Sequence, residues 1–568
     1  MSTTAALAAA DGTFRLEADV FDYTIVALYF VVVLGIGFLA RRQISSSIDF
    51  FLSGRSLPAW VTGLAFIAAN LGAVEIMGMS ANGAEFGMAT VHYFWVGAVP
   101  AMLFLGIVMM PFYSGSGVRS VPEFMRKRFG TGAHLVNALS FAIAQLLIAG
   151  INLFLLATIV NRLLGWPLWV SLVVAAAIVL SYTALGGLSA AIYNEVLQFF
   201  VIVAALVPLT AVALHKVGGW DGITERIQPG PEQLSSWPGT DLTGIDSPLL
   251  SVIGIVFGLG FVLSFGYWTT NFVEVQRAMA SSSMSAARRA PIIGAFPKMF
   301  IPFVVIIPGI IAAIVVPELA ALKAGESSDV TYNDALLLLM RDLLPNGMLG
   351  IAIAGLLASF MAGMAANISA FNTVFSYDLW QQYVVKDRED GYYTRIGRLA
   401  TVAATVVAIG TALIASQYDN LMDYLQTLFG FFNAPLFATF ILGMFWKRMT
   451  ATAGWTGLVA GTGAAILVAV LSEDSLGGLS VGLLPLSGQG ASFVAAGAAF
   501  VVDIVVSVAV TLRTAPKPER ELVGLVYSLT PKEDLVDPEE KTLPWYQSPV
   551  KLAGIGVVLV VVLNVIFR

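Results

Sequence analysis

Residues 58–79 read Pro58-Ala59-Trp60-Val61-Thr62-Gly63-Leu64-Ala65-Phe66-Ile67-Ala68-Ala69-Asn70-Leu71-Gly72-Ala73-Val74-Glu75-Ile76-Met77-Gly78-Met79. The stretch has the ~20 residues that cross a bilayer as a helix. Its middle is a poor place to propagate one, because Asn70 offers a competing amide and Gly72 has the least helical backbone of any ordinary residue. A carboxylate, Glu75, follows the weak point. An apolar span that breaks at mid-depth and carries an ionisable group is expensive in hydrocarbon, and is expected where the backbone lines a cavity.

Apolar stretches of similar length recur on both sides of this one. They predict an all-α membrane protein of about fourteen transmembrane helices: 22–40, 58–79, 93–112, 132–160, 166–184, 190–214, 250–275, 286–316, 347–378, 395–416, 423–445, 451–471, 489–512 and 550–567. The composition agrees. Of 568 residues, 58% are hydrophobic and 12% charged, against about 25% charged in soluble domains. A barrel would instead show alternating strands of ~10 residues. Met1 to Val20 lack the apolar core of a removable signal peptide. The Lys and Arg residues collect in alternate loops, at Arg41–Arg42, Arg126–Lys127–Arg128, Arg288–Arg289, Lys447–Arg448 and 513–551. The positive-inside rule places that side in the cytoplasm and both termini outside. The expected organisation is one membrane transport domain over 1–568. It has an external tail (1–21), thirteen spans (22–512), a polar, loosely ordered cytoplasmic linker (513–549) and a last span (550–567).

The chemistry that is missing narrows the function. The chain has no phosphate loop for ATP, no cysteine, and three histidines (His92, His134, His215) without metal-ligand spacing. A net charge of −6 without a basic run gives nucleic acid no surface. An enzyme is not expected. A second interrupted span is expected at Gly258-Leu259-Gly260 and Ser264-Phe265-Gly266 in the seventh stretch. It lies five spans after the first, hence in opposite orientation. Spans 2–6 and 7–11 then form a five-plus-five inverted repeat, each opening on a broken helix. The plainer alternative is that these glycines only let helices pack closely. Lys298, roughly 14 Å beyond Arg289 along a helix, lies too deep to snorkel easily. It therefore faces either a cavity or an ion-pair partner, and Glu75 is one such partner.

At these residues the chain resembles the sodium:solute symporter family, and within it the sodium/glucose (galactose) cotransporters. The resemblance rests on Asp49-Phe50-Phe51-Leu52-Ser53-Gly54-Arg55-Ser56-Leu57-Pro58, Ile67-Ala68-Ala69-Asn70, Val121-Pro122-Glu123-Phe124, the run Gly186 to Gln198, Tyr267-Trp268-x-x-Asn271 with Gln276-Arg277, and Leu442-Gly443-Met444-Phe445-Trp446-Lys447. It implies sodium-coupled uptake by alternating access, with a small polar solute held at mid-membrane behind an aromatic gate. The solute positions it implies are Glu75, Phe94, Ser264, Lys298 and Gln426, with Tyr267 as inner gate beside Trp268. Phe94 stands where the family has a carboxylate and Ser264 where it has an amide, which leaves hexose specificity open. The implied sodium site uses the carbonyls of Ala68, Leu71 and Ser359 and two hydroxyl positions that here are Ala362 and Gly363. A hard cation wants oxygens, so Glu195 is expected to compensate, or a proton to replace sodium. The resemblance leaves two other readings: a sodium- or proton-coupled carrier of an organic acid or amino acid, and a membrane sensor or channel on the same fold. The expected partners are the solute and the lipid bilayer, and the expected location is the cell membrane.

Overall fold

The computed structural model describes residues 14–40, 51, 53–118, 120–237, 241–243, 248–326, 330–418, 420–473, 480–537 and 539–568. Arg41–Arg42, most of the 1–21 tail, and Asp49, Phe50 and Leu52 of the family signature lie outside the described residues.

Helices account for nearly all of the described chain, as the apolar runs require once backbone groups must be satisfied away from water. In chain order the principal ones are α1 Val20–Ala40, the bent pair α2 Ala59–Asn70 and α3 Val74–Val91, α4 Tyr93–Ser116, α5 Val121–Phe129, α6 Thr131–Leu164 and α7 Leu168–Val217. Next come α8 Leu249–Thr270, α9 Phe272–Met279, α10 Met284–Val315, α11 Met348–Val384, α12 Asp390–Ala415, α13 Leu421–Phe445, α14 Ala451–Leu471, α15 Gly488–Arg513 and α16 Pro549–Ile566.

Twelve described helices are long and apolar enough to cross a membrane, thirteen with the bent pair. The expected count of fourteen differs at 166–184. Its apolar helix is only Leu168–Ser181, and it runs without a break into the longer stretch Leu188–Val217.

The most apolar stretch of α11 is 89% buried within the protein, that of α16 only 22%. α11 is therefore central, and α16 turns Val557, Val558, Val561 and Val565 outward, where lipid is the solvent. Asp22 of α1 ties the central helix down. Its Oδ1 accepts from the backbone N–H groups of Gly347 (2.7 Å) and Gly350 (2.6 Å), placing a carboxylate at the positive end of α11.

The first broken span is where the sequence places it. α2 ends at Asn70, Leu71 leaves helical geometry with ψ at 47°, and α3 departs at 61°. Such a break orphans backbone donors, and Asn152 of α6 meets one of them by accepting from the Ala73 N–H at 3.0 Å. The glycines have a physical role here. A Cβ on Gly363 would lie 3.0 Å from the Gly72 Cα and 2.7 Å from Asn152 Oδ1. The central helix thus touches the break backbone to backbone.

The seventh span differs from expectation. Gly254–Ser264 is continuous π-helix, and the chain leaves helical geometry only at Asn271 (ψ 119°), whose side chain accepts from the Val273 N–H to start α9. Gly258 and Gly260 serve packing, because Cβ atoms there would meet the Phe493 carbonyl oxygen at 2.9 Å and the Val96 side chain at 2.8 Å.

The 513–549 segment is more ordered than a loose linker. Leu522 and Val526 are buried, and the Arg288 guanidinium reaches Glu540 at 2.8 Å and Asp537 at 3.5 Å.

Candidate functional site

A cavity of about 90 Å³ opens where the break between α2 and α3 faces α6, α8, α10, α11 and α13. That is room for several water-sized groups. Glu75, Ser264, Tyr267, Trp268, Lys298 and Gln426 all line it. Six of the seven solute positions expected from the sequence thus converge on one cavity.

Local backbone geometry helps to aim them. Glu75, Phe94 and Ser264 lie in π-helical turns, Val74–Gly78, Tyr93–Ala98 and Gly254–Ser264. Such turns shift side-chain register relative to a regular helix and recur at functional sites.

Lys298 donates to Glu75 Oε1 at 2.5 Å and also to Asn70 Oδ1. Its ammonium lies 4.9 Å from the Phe94 ring centroid and 5.3 Å from that of Trp268. This is the ion pair that the depth of Lys298 anticipates, and it also faces the cavity, so both readings hold together. Phe94 lies buried behind the cavity lining, with its ring toward the ammonium.

Asn70 Nδ2 donates to the Tyr267 hydroxyl at 3.2 Å, and Tyr267 donates to Glu274 at 2.7 Å. The Tyr267 ring packs on Phe429 at 4.6 Å and edge-on to Trp268 at 5.3 Å. Gln426 donates within its own helix, to Met422 Sδ at 3.3 Å. Its carbonyl therefore remains available to the cavity.

The expected ion positions on the second and central spans meet where the break touches α11. Ala68 and Ala362 are buried and have apolar side chains, and Gly363 is taken up by its contact with Gly72. The Ser359 hydroxyl donates to the Leu71 carbonyl. Glu195, expected to supply missing negative charge, is fully buried against Arg277, at 2.6 Å to Nη2 and 3.4 Å to Nε. A two-pronged guanidinium contact balances that carboxylate.

A family profile described as the sodium:solute symporter family matches residues 50–461. The chain belongs to that family. This symporter is 29% identical over 460 residues to the sodium/glucose cotransporter of Vibrio parahaemolyticus, covering 77% of this chain and 83% of that protein. It is 30% identical over 561 residues to sodium/glucose cotransporter 4 of Danio rerio, covering 94% and 84%. Among solved structures, a substrate-bound, outward-open Na+-coupled sialic acid symporter matches with a TM-score of 0.73 at 19% identity, over 88% of this chain and 98% of that one. That likeness carries the fold.

Sequence reasoning missed Asn152, Asn367 and Met422, which also line the cavity, and Glu274 behind it. A polar residue inside an otherwise apolar span was the available signal for Asn152 and Asn367. Glu274 sits at the end of its apolar stretch, where a charge passes as a helix end.

Proposed function

We propose that this sodium:solute symporter carries an uncharged, polyhydroxylated solute, a sugar or something similar, across the cell membrane by alternating access. One observation supports the solute class. The two charged residues lining the cavity, Glu75 and Lys298, are paired with each other at 2.5 Å. An organic anion would need a free cation and would have to break that pair. A neutral solute meets amides and hydroxyls from Asn70, Asn152, Ser264, Tyr267, Asn271, Asn367 and Gln426, each able to serve hydroxyl groups. Trp268, Tyr267 and Phe429 add faces for the apolar side of a sugar ring. The names of the relatives agree with this class.

Sodium is the coupling ion, held by the carbonyls of Ala68, Leu71 and Ser359, close to the break in the second span. With the short apolar helix Leu168–Ser181 counted as a fourteenth crossing, both termini lie outside the cell, and the whole chain acts as one transport domain. The test is a thermal-shift screen of neutral sugars and polyols, organic acids and amino acids, with sodium or with choline. Stabilisation by a neutral polyol that strengthens with sodium is expected. Stabilisation by anions or zwitterions alone overturns the solute class. A sensor or channel on this fold would bind solute but fail to accumulate it in proteoliposomes.

A further inference from the structure

Two ion pairs and one further carboxylate lie close together on α3, α7, α9 and α10. Lys298 is paired with Glu75 at 2.5 Å, and Arg277 with Glu195 at 2.6 Å. Glu274 is the carboxylate left over. It has no solvent exposure; Oε1 accepts from the Tyr267 hydroxyl, and Oε2 has no hydrogen-bond partner among the described residues. The charged groups acting on it are Arg277 on its own helix, Lys298 on α10 and Glu195 on α7. Tyr267 is the titratable group on the segment before α9. The other faces add nothing ionisable, since neither Ala59–Asn70 nor Met348–Thr373 contains a titratable side chain. Arg288 and Arg289, at the start of α10, are engaged by Glu540 and Gln547.

An ionised carboxylate here would be an uncompensated buried charge with one oxygen bare, an arrangement proteins avoid by neutralising the group. Sodium suits the place poorly, because a hard cation needs several oxygens at once and only one carboxylate oxygen is unengaged. We infer that Glu274 is a proton-binding site of this symporter, taking one proton at Oε2 and releasing the inner-gate residue Tyr267 when it does so.

The inference rests on the symporter reading above and adds a group to it. Ionised Glu274 accepts a charge-assisted bond from Tyr267, roughly twice as strong as a neutral one, and so holds the Tyr267 ring in place in the cavity wall. Protonation removes the charge from that bond. The one bond made and broken is the carboxyl O–H: a proton from water adds to Oε2 and returns to water on release.

The experiment is solute uptake into proteoliposomes at a fixed inward sodium gradient, with pH equal on both sides and varied. Wild-type uptake is expected to fall as pH rises, approaching about tenfold per pH unit above the titration point of a single required proton. Glu274→Gln, an uncharged isostere of the protonated acid, is expected to give uptake independent of pH while still requiring sodium. Superimposable pH profiles for the two proteins overturn the inference, even if both need sodium. Uptake that ignores sodium in both proteins would overturn the sodium reading instead. Should the glutamine variant be inactive, infrared difference spectra of purified protein decide. A protonated-carboxyl band in wild type that shifts in Tyr267→Phe supports the site. No band responsive to that substitution at any pH overturns it.

Discussion

At the solute site proposed above, Lys298→Ala removes a cavity-lining donor and the ion-pair partner of Glu75, whereas Gln426→Ala removes only a cavity-lining amide that donates to Met422 in its own helix. Both Lys298→Ala and Gln426→Ala are therefore expected to weaken solute binding by about 5- to 150-fold, the loss of ~1–3 kcal/mol for one good hydrogen bond. Only the lysine variant should also melt at a lower temperature, because it leaves the partly buried Glu75 carboxylate without its ion-pair partner. Binding titrations beside melting curves check both statements, and wild-type affinity in both variants would mean that the cavity is not the solute site. At this scale the sequence showed unusual residues better than their partners. The depth of Lys298 was readable from helical rise alone. The pairing of Glu195 with Arg277 was not, because these two residues are 82 positions apart in sequence and meet only in the folded bundle.

The break between α2 and α3 is fitted to the central helix by the absence of two side chains. A methyl group on Gly363 would sit 2.7 Å from Asn152 Oδ1 and 3.0 Å from the Gly72 Cα. Gly363→Ala is expected to cost about 1–3 kcal/mol through overpacking and to disturb the Asn152 cap on Ala73. A lowered melting temperature with weakened solute binding is the expected reading; an unchanged protein would show that α11 gives way easily. The position of this break was legible because Asn70 and Gly72 both disfavour helix. The seventh span misled because Gly258 and Gly260 look like the same signal. There the glycines admit neighbouring side chains and backbone, and the chain leaves its helix at Asn271, whose side chain caps the start of α9.

Across the whole molecule, the distribution of Lys and Arg gives an orientation that labelling can test directly. The chain has no cysteine, so a single cysteine placed in the 1–13 tail, or after Arg568, is the only thiol present. Both are expected to react in intact cells with a membrane-impermeant maleimide, while one placed near Lys532 should react only after permeabilisation. Labelling of the Lys532 position in intact cells would invert the topology. The helical, apolar character of the spans came largely from composition and length, whereas the docking of 513–549 through Arg288 depended on tertiary contacts that a polar stretch does not reveal.

The central claim is sodium-coupled uptake of a neutral polar solute, and its most direct measurement is radiolabelled solute uptake into proteoliposomes at constant pH. An inward sodium gradient should drive accumulation above the external concentration, which collapses when choline replaces sodium. Equal uptake in choline, or filling only to equilibrium, would contradict it.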